Sequence, residues 1–181
     1  LITYLLNINS SVPTDGNSVE IFTSADDKFT ELLKDIEHAE KSINMLYFII
    51  RDDEIGNKVL NALVKKAKEG VKVRFLYDDI GSLLTKRDIF DELKTAGGAV
   101  SAFFPVKLGS YSKINHRNHR KIVVIDGKIG YIGGINIGDE YFGKKRLSPW
   151  RDTHIKVKGP AVRYIQKAFS LDWMFSTGED L

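Results

Sequence analysis

The first half of the chain alternates between short apolar runs and segments whose apolar residues recur at helical spacing. The runs are rich in β-branched and aromatic residues, which favours strands over helices. Four strands are predicted in this way: VEIFT (19–23), INMLYFII (43–50), VKVRFLY (71–77) and AVSAFF (99–104). Alternation of strands and helices with short links is typical of βαβ units, so a largely parallel sheet is expected.

Helix boundaries are marked by capping residues and by proline. Ser24 followed by Asp27 is typical of a helix N-terminus, and Gly70 just after an apolar stripe is typical of a C-terminus. A third helix is predicted near Lys86–Ala96, and a last one with Pro160 in its first turn.

The second half contains a predicted hairpin, NHRKIVVIDGKIGYIGGIN (118–136). An Asp-Gly pair between two apolar runs is a strong signal for a two-residue turn, which fixes the register of both strands. The predicted pairs are then Ile125 with Lys128, Lys121 with Ile132 and His119 with Gly134.

This register places His119, Lys121 and Asn136 on one face of the hairpin, because paired residues and alternate residues share a face. Gly134 leaves space above the sheet, whereas Asp126 lies in the turn and is expected to hold the hairpin together. An imidazole, an ammonium group and a carboxamide without a carboxylate cluster suit an anion such as a phosphoryl group. A lone His-x-Lys is more often a solvated strand edge; the aspartate and the Gly-Gly-x-Asn that follow favour a functional site.

The histidine of such a site can act as nucleophile or as general acid. Either role needs an acceptor on the second ring nitrogen, which Asp152 on a nearby strand could supply. Asp78 and Asp79 follow a predicted strand and could suggest a metal, but without further ligands they are expected to cap a helix or loop.

Composition narrows the function classes. The 181 residues are 43% apolar and 28% charged, which is typical of one globular domain. The absence of cysteine excludes disulfides and thiolate metal sites, and a net charge of +3 is too small to indicate nucleic-acid binding by itself. The apolar run 43–50 is far shorter than the roughly 20 residues of a membrane-spanning helix. Because the chain begins at Leu1, we expect residues 1–17 to be a linker from an upstream segment and residues 18–181 to form the domain.

At the hairpin the sequence resembles the phospholipase D superfamily. HRKIVVID followed by GKIGYIGGIN is similar to the family's His-x-Lys-x4-Asp motif and its Gly-Ser and Asn continuation, with Gly133-Gly134 where many members have Gly-Ser. We expect this change to be tolerated because the backbone amide remains. YFIIRDDEIG, GGINIGDEYFG and PWRDTHIKVKGPAV add a narrower resemblance to the first half of bacterial cardiolipin synthases. The resemblance implies a phospholipase D-like α/β domain, with a mixed, mostly parallel sheet flanked by helices on both faces.

The resemblance also implies roles for individual residues. His119 would attack phosphorus and form a phosphohistidine, Lys121 and Asn136 would bind the phosphoryl oxygens, and Asp152 would orient the imidazole. Asp126 belongs to the motif's catalytic set with a mainly structural role. The substrate site would be lined by Gly133, Gly134, His116 and Arg120. The family needs no metal or other cofactor for this chemistry.

Cardiolipin synthases of this type pass a phosphatidyl group from one phosphatidylglycerol to another and release glycerol. Their active site is built from two motifs, and this chain carries one, so the second is expected from the missing C-terminal part of the chain or from a second copy by twofold pairing. The full-length protein would act at the bacterial cell membrane, whereas this fragment is expected to be soluble, and no nucleic-acid partner is expected. The alternatives are a single-motif homodimeric phosphodiesterase or nuclease of the superfamily, and a non-catalytic module that docks on anions or membranes.

Overall fold

The computed structural model describes residues 12–105, 117–143 and 150–181, which form one seven-stranded sheet and its flanking helices. The strands are β1 (Ser18–Phe22), β2 (Ser42–Tyr47), β3 (Lys72–Asp78), β4 (Ala99–Phe103), β5 (Ile122–Ile125), β6 (Ile129–Gly133) and β7 (His154–Lys158). The α-helices are α1 (Ala25–Glu37), α2 (Glu54–Lys68), α3 (Asp91–Thr95) and α4 (Val162–Thr177), and short 3-10 helices span Arg87–Phe90 and Asp139–Phe142.

The sheet is mixed, as predicted, with strand order β1-β7-β6-β5-β2-β3-β4. Its parallel pairs are β2 with β3 and β3 with β4. The other pairings between these described strands are antiparallel. The expectation of a mostly parallel sheet is therefore wrong, because the hairpin and its two outer neighbours contribute only antiparallel pairs.

Helices cover both faces of the sheet, which confirms the predicted layering. On one face, α1, α2 and α3 pack over a large apolar cluster that includes Phe29, Val59 and Phe75. On the other face, α4 packs through Phe169 and Trp173 against a smaller cluster. The central strand β2 contributes buried side chains to both clusters, which explains its continuous apolar run.

The predicted helix ends are mostly confirmed. The Ser24 side chain accepts the Asp27 main-chain N–H at the start of α1, and Gly70 follows α2 with a positive φ of 91°. The third helix is split, since a 3-10 turn occupies 87–90 before α3. Pro160 lies outside α4, which begins at Val162.

The hairpin turn is confirmed, but its register is shifted by one residue. Asp126 and Gly127 have φ values of 54° and 65°, and the Lys128 N–H donates to the Ile125 carbonyl, as in the expected two-residue turn. The ladder nevertheless pairs Ile125 with Ile129. Lys128 is an extra residue between turn and ladder, in the manner of a β-bulge.

The ladder also ends earlier than predicted. Its last pair is Ile122 with Ile132, so His119 and Lys121 precede β5 instead of facing residues of β6. After β6 the chain crosses to the end of β2, where Ile137 bridges Ile50 in parallel. This crossing, and not strand pairing, brings the segment of Asn136 to the segment of His119.

No helix in residues 12–105, 117–143 and 150–181 is long and apolar enough to cross a bilayer.

Candidate active site

The polar motif residues gather where β5 begins and β2 and β6 end. The main chain of Ile49 and Arg51, just beyond β2, exchanges hydrogen bonds with Ile137. Residues 135–137 therefore lie beside 49–51 through a single bridge, and the segment that carries His119 leads into β5 at the same edge. The site is built from three chain segments that are distant in sequence.

His119 presents an exposed imidazole at this edge. Its ring lies 4.6 Å from the ring of Phe48, measured between centroids, with an interplanar angle of 57°. Partial burial and the charge of Lys121 lower the pKa of His119, although the charges of Asp78 and Asp152 oppose this. The imidazole is therefore mostly neutral at pH 7, which is the form a nucleophile requires.

Lys121, two residues after the histidine, is only 1% exposed. Its Nζ donates to the His119 carbonyl oxygen at 2.7 Å and lies 5.2 Å from the centroid of the Phe48 ring. Burial lowers the pKa of Lys121 to about 8, and the charge of Asp152 keeps it from falling further. At pH 7 the ammonium group is largely protonated.

Asn136 is held by two hydrogen bonds. Its Oδ1 accepts the N–H of Ile49 at 3.1 Å, and its Nδ2 donates to the Tyr141 hydroxyl at 2.6 Å. Burial raises the pKa of Tyr141, so this phenol stays neutral and polarises the amide. Because the amide nitrogen carries two N–H groups, this arrangement fixes the direction of the second.

Asp152 supplies negative charge to the same site. Its charge opposes the lowering of the pKa of both His119 and Lys121. Its Oδ1 accepts the N–H of Thr153 at 2.7 Å. Within the described part of the chain, no hydrogen bond joins this carboxylate to the imidazole. The structure thus brings Asp152 to the histidine as an electrostatic partner, and its orienting role stays a prediction.

The double glycine makes room for the chain segment that leads into β7. A Cβ on Gly133 would come within 2.5 Å of the His154 Cα, and a Cβ on Gly134 within 2.1 Å of Asp152 Oδ1. The N–H of Gly134 donates to the Thr153 carbonyl at 2.9 Å. The expectation that this amide remains available to a phosphate is therefore wrong, because Thr153 already accepts it.

Two predicted site residues lie elsewhere. Arg120 points to α4, where its Nη1 contacts both carboxylate oxygens of Asp172 at 2.9 and 2.7 Å. Asp126 lies at the far end of β5 and accepts main-chain N–H groups of residues 40–42. His116 falls outside the described residues.

The sequence reasoning missed two contributors to the site, Phe48 and Tyr141, and gave a third, Asp78, only the role of a cap. Phe48 forms the aromatic side of the histidine pocket, Tyr141 holds Asn136, and Asp78 is buried beside the segment of the histidine. The first two looked like ordinary apolar positions, and only the fold brings them to the site. Asp78 was singled out because it follows a predicted strand, and its expected role as a loop cap is confirmed by the N–H groups of Ile80 and Gly81 that donate to its Oδ1.

Comparison with known proteins agrees with this geometry. The family described as "Cardiolipin synthase, PLD-like domain" matches residues 32–173. The chain is 50% identical over 175 residues to the major cardiolipin synthase of Bacillus subtilis, covering 96% of this chain and 36% of the relative. It is 46% identical over 183 residues to a cardiolipin synthase of Clostridium perfringens, covering 100% of this chain and 38% of the relative. The chain therefore spans about a third of the length of these curated relatives.

Solved structures agree on the fold. Nuc, a phospholipase D family member from Salmonella typhimurium, matches with a TM-score of 0.66 at 17% identity, covering 89% of this chain and 97% of that one. A phosphatidylserine synthase of Haemophilus influenzae matches with a TM-score of 0.62 at 17% identity, covering 85% of this chain and 42% of that one. The family match over residues 32–173 shows that this chain belongs to the phospholipase D-like domain family of cardiolipin synthases.

Proposed function

We propose that this domain is the first catalytic half of a cardiolipin synthase, which transfers a phosphatidyl group between two phosphatidylglycerol molecules. The observation that carries the proposal is the exposed, largely neutral imidazole of His119 and the buried ammonium group of Lys121, which share the ring of Phe48 and are joined through the His119 main-chain carbonyl. A neutral nucleophile beside a fixed cation suits attack on a phosphodiester, whose negative charge would otherwise repel the attacking group.

In the first step, a nitrogen of His119 bonds to phosphorus while the bond from phosphorus to the glycerol oxygen breaks. The glycerol oxygen takes a proton from an acid that a second motif supplies, and phosphohistidine remains. Lys121 and the second N–H of Asn136 would hold the non-bridging oxygens. The negative charge of Asp152 favours the positive charge that the imidazole develops during attack.

In the second step, a hydroxyl of another phosphatidylglycerol attacks phosphorus and the bond to nitrogen breaks. The attacking hydroxyl gives its proton to the conjugate base of the acid used before. The products are cardiolipin and the free imidazole, so atoms and charge balance over the cycle. Covalent capture lets glycerol leave before the second lipid arrives.

The second motif would come from chain beyond this domain or from a second copy by twofold pairing. The bacterial membrane that contains the lipid would be the site of action, in keeping with the relatives' names. Residues 1–17 would connect the domain to a preceding segment, and residues 18–181 would form the domain itself. In this scheme Gly134 lets Asp152 approach and Gly133 makes room for residues 153 and 154. A contact of His116 with substrate belongs to the proposal alone.

The test uses the full-length gene product and vesicles of radiolabelled phosphatidylglycerol in excess chelator. The expected products are cardiolipin and glycerol, and acid-labile label should be trapped on His119 after a rapid quench. His119→Ala should abolish both signals, whereas His38→Ala, which changes an exposed histidine at the end of α1, should preserve them. Full turnover by His119→Ala would refute the mechanism. Efficient cleavage of DNA without lipid turnover would instead support a phosphodiesterase of the same family.

A further inference from the structure

Asp78 is a buried carboxylate that the reaction scheme above does not use. It is the last residue of β3 and is 1% exposed. Because β3 runs parallel to β2, its carboxyl end reaches the edge of the sheet that carries the site. A buried carboxylate is costly unless its oxygens are satisfied, so its contacts show what it holds.

The carboxylate of Asp78 joins two separate segments of the chain. Its Oδ1 accepts the N–H groups of Ile80 and Gly81, both at 3.0 Å, which caps the loop after β3. Its Oδ2 accepts the N–H of Asn118 at 3.0 Å. The Oδ1 bonds are those of an ordinary loop cap, but the Oδ2 bond fixes the residue directly before His119.

Asn118 extends this hold across the histidine. Its side-chain Oδ1 accepts the N–H of Arg120 at 3.1 Å, so a hydrogen bond spans the main chain of His119. Asp78 fixes one end of this turn through its bond to the Asn118 N–H. The direction in which the imidazole leaves the main chain thus depends on the carboxylate.

The loop capped by Asp78 also supports the aromatic side of the pocket. Gly81 packs against the main chain of Phe48 so closely that a Cβ would come within 2.1 Å of the Phe48 carbonyl oxygen. Ser82 donates through Oγ to the same oxygen at 3.2 Å and accepts the N–H of Ile50 at 3.2 Å. The ring of Phe48 is the one that contacts the His119 imidazole.

The charge of Asp78 acts on His119 as well. It favours the protonated imidazole more strongly than Asp152 does, and both oppose Lys121. The nearest described cation to Asp78 is Arg117, whose Nη1 lies 3.8 Å from Oδ1. At that distance the ion pair is loose, so the charge of Asp78 still acts on the imidazole of His119.

We propose that Asp78 is a positioning residue for His119, holding both the main chain that carries the imidazole and the loop that supports its aromatic side. The inference deepens the proposed function and rests on it for the role of His119. Asp78 acts through Asn118 and Phe48 and does not touch the substrate.

The experiment compares Asp78→Asn with Asp79→Asn in the full-length gene product. Asp79 is the matched control, because it is also a buried carboxylate at the end of β3 but contacts Arg87 at 2.9 Å and is not among the charges that shift His119. Two readouts are measured against pH. The first is kcat/KM on phosphatidylglycerol, and the second is the rate at which diethyl pyrocarbonate acylates His119 in the folded protein, followed in the proteolytic peptide that contains this residue. The second readout follows the neutral imidazole and needs no turnover.

For Asp78→Asn we expect kcat/KM to fall by about 100-fold, the effect of a misplacement of roughly 1 Å at a reacting group. The midpoint of His119 acylation should move to lower pH, because the charge that favours the protonated imidazole is gone. Asp79→Asn should leave that midpoint in place. If the two variants gave the same midpoint and the same loss of activity, the proposal would be overturned.

Asp78→Glu keeps the test decisive if Asp78→Asn does not fold. It retains the charge but lengthens the side chain, so kcat should fall at least tenfold with little change in KM, while Asp79→Glu should retain kcat. An unchanged kcat in Asp78→Glu would overturn the proposal. The proposed function can fail independently of this inference. In that case the wild-type protein makes no cardiolipin, while Asp78→Asn still moves the midpoint of His119 acylation.

Discussion

The carboxylate of Asp152 lies against the main chain of Gly134, so that a Cβ on Gly134 would come within 2.1 Å of Oδ1 and 2.3 Å of Oδ2. Non-bonded atoms do not approach a Cβ so closely, and the carboxylate would have to move. The glycine that replaces the family's more common serine is therefore coupled to the position of Asp152.

Gly134→Ala should accordingly lower transfer activity by displacing Asp152. We expect kcat/KM to fall at least tenfold, because the carboxylate charge moves away from His119 and Lys121. The measurement is the pH dependence of kcat/KM in the full-length gene product. With the carboxylate displaced, the alkaline limb should begin at a lower pH, since Asp152 raises the pKa of Lys121.

A double-mutant cycle checks that the effect runs through Asp152. In an Asp152→Ala background, Gly134→Ala should cost less than twofold in kcat/KM, because the group it displaces is already gone. If the loss in the double variant equalled the sum of the losses in the two single variants, Gly134→Ala would act independently of Asp152.

The layering of the fold was predictable because its signals are local. The apolar runs marked the strands, and Ser24 and Gly70 marked helix ends through hydrogen bonds and a positive φ that involve only near neighbours. The register of the hairpin was not predictable, since Lys128 enters as an extra residue that no turn rule forbids. The same turn chemistry is compatible with both registers.

The site was predicted only in part, because its assembly also depends on contacts between residues that are distant in sequence. The chain segments that carry His119, Lys121 and Asn136 do meet, but through the crossing of 135–137 to the end of β2, which depends on long-range packing. Arg120 was misplaced because adjacency to a histidine says nothing about which face a side chain takes once the neighbouring helix offers Asp172. A basic residue beside a motif is informative only when its face is known.

Arg120→Ala should therefore retain most of the activity. We expect kcat/KM to stay within about threefold of wild type, and the free energy of unfolding to fall by at most about 1 kcal/mol, since the Arg120 side chain is half exposed in its ion pair with Asp172. Steady-state kinetics and urea denaturation measure the two quantities. Lys121→Ala is the control that should lose activity, and a comparable loss in Arg120→Ala would place the guanidinium at the substrate.

Asp126→Ala should affect stability and not chemistry. Its carboxylate accepts the N–H groups of Glu40, Lys41 and Ser42 at 2.7 to 3.0 Å, at the end of β5 remote from His119. Removing it leaves these donors without their acceptor, so we expect a loss of about 1–3 kcal/mol in the free energy of unfolding. At temperatures below the unfolding midpoint of the variant, kcat of Asp126→Ala should be close to that of wild type.

The pH dependence of stability gives a second check on Asp126. Burial raises its pKa, but the three backbone hydrogen bonds together outweigh burial and hold the pKa below its usual value of 3.8. Because the folded pKa is depressed, the carboxylate contributes its full stability above the unfolded pKa and loses it as pH falls through the folded pKa. The difference in the free energy of unfolding between wild type and Asp126→Ala should therefore shrink in acid.

Lys121 should set the alkaline limit of the reaction. Burial lowers its pKa to about 8, so the cation that would bind the phosphate under the proposed function is lost as pH rises through that value. We expect kcat/KM of the full-length gene product to fall about tenfold per pH unit above this point. Lys121→Arg should reduce kcat/KM at pH 7, because a planar guanidinium does not fit the ammonium site, but should remove the alkaline limb, because arginine stays protonated. Lys167→Arg, at an exposed position on α4, is the matched control and should leave the limb in place. An unchanged alkaline limb in active Lys121→Arg would assign the titration to another group.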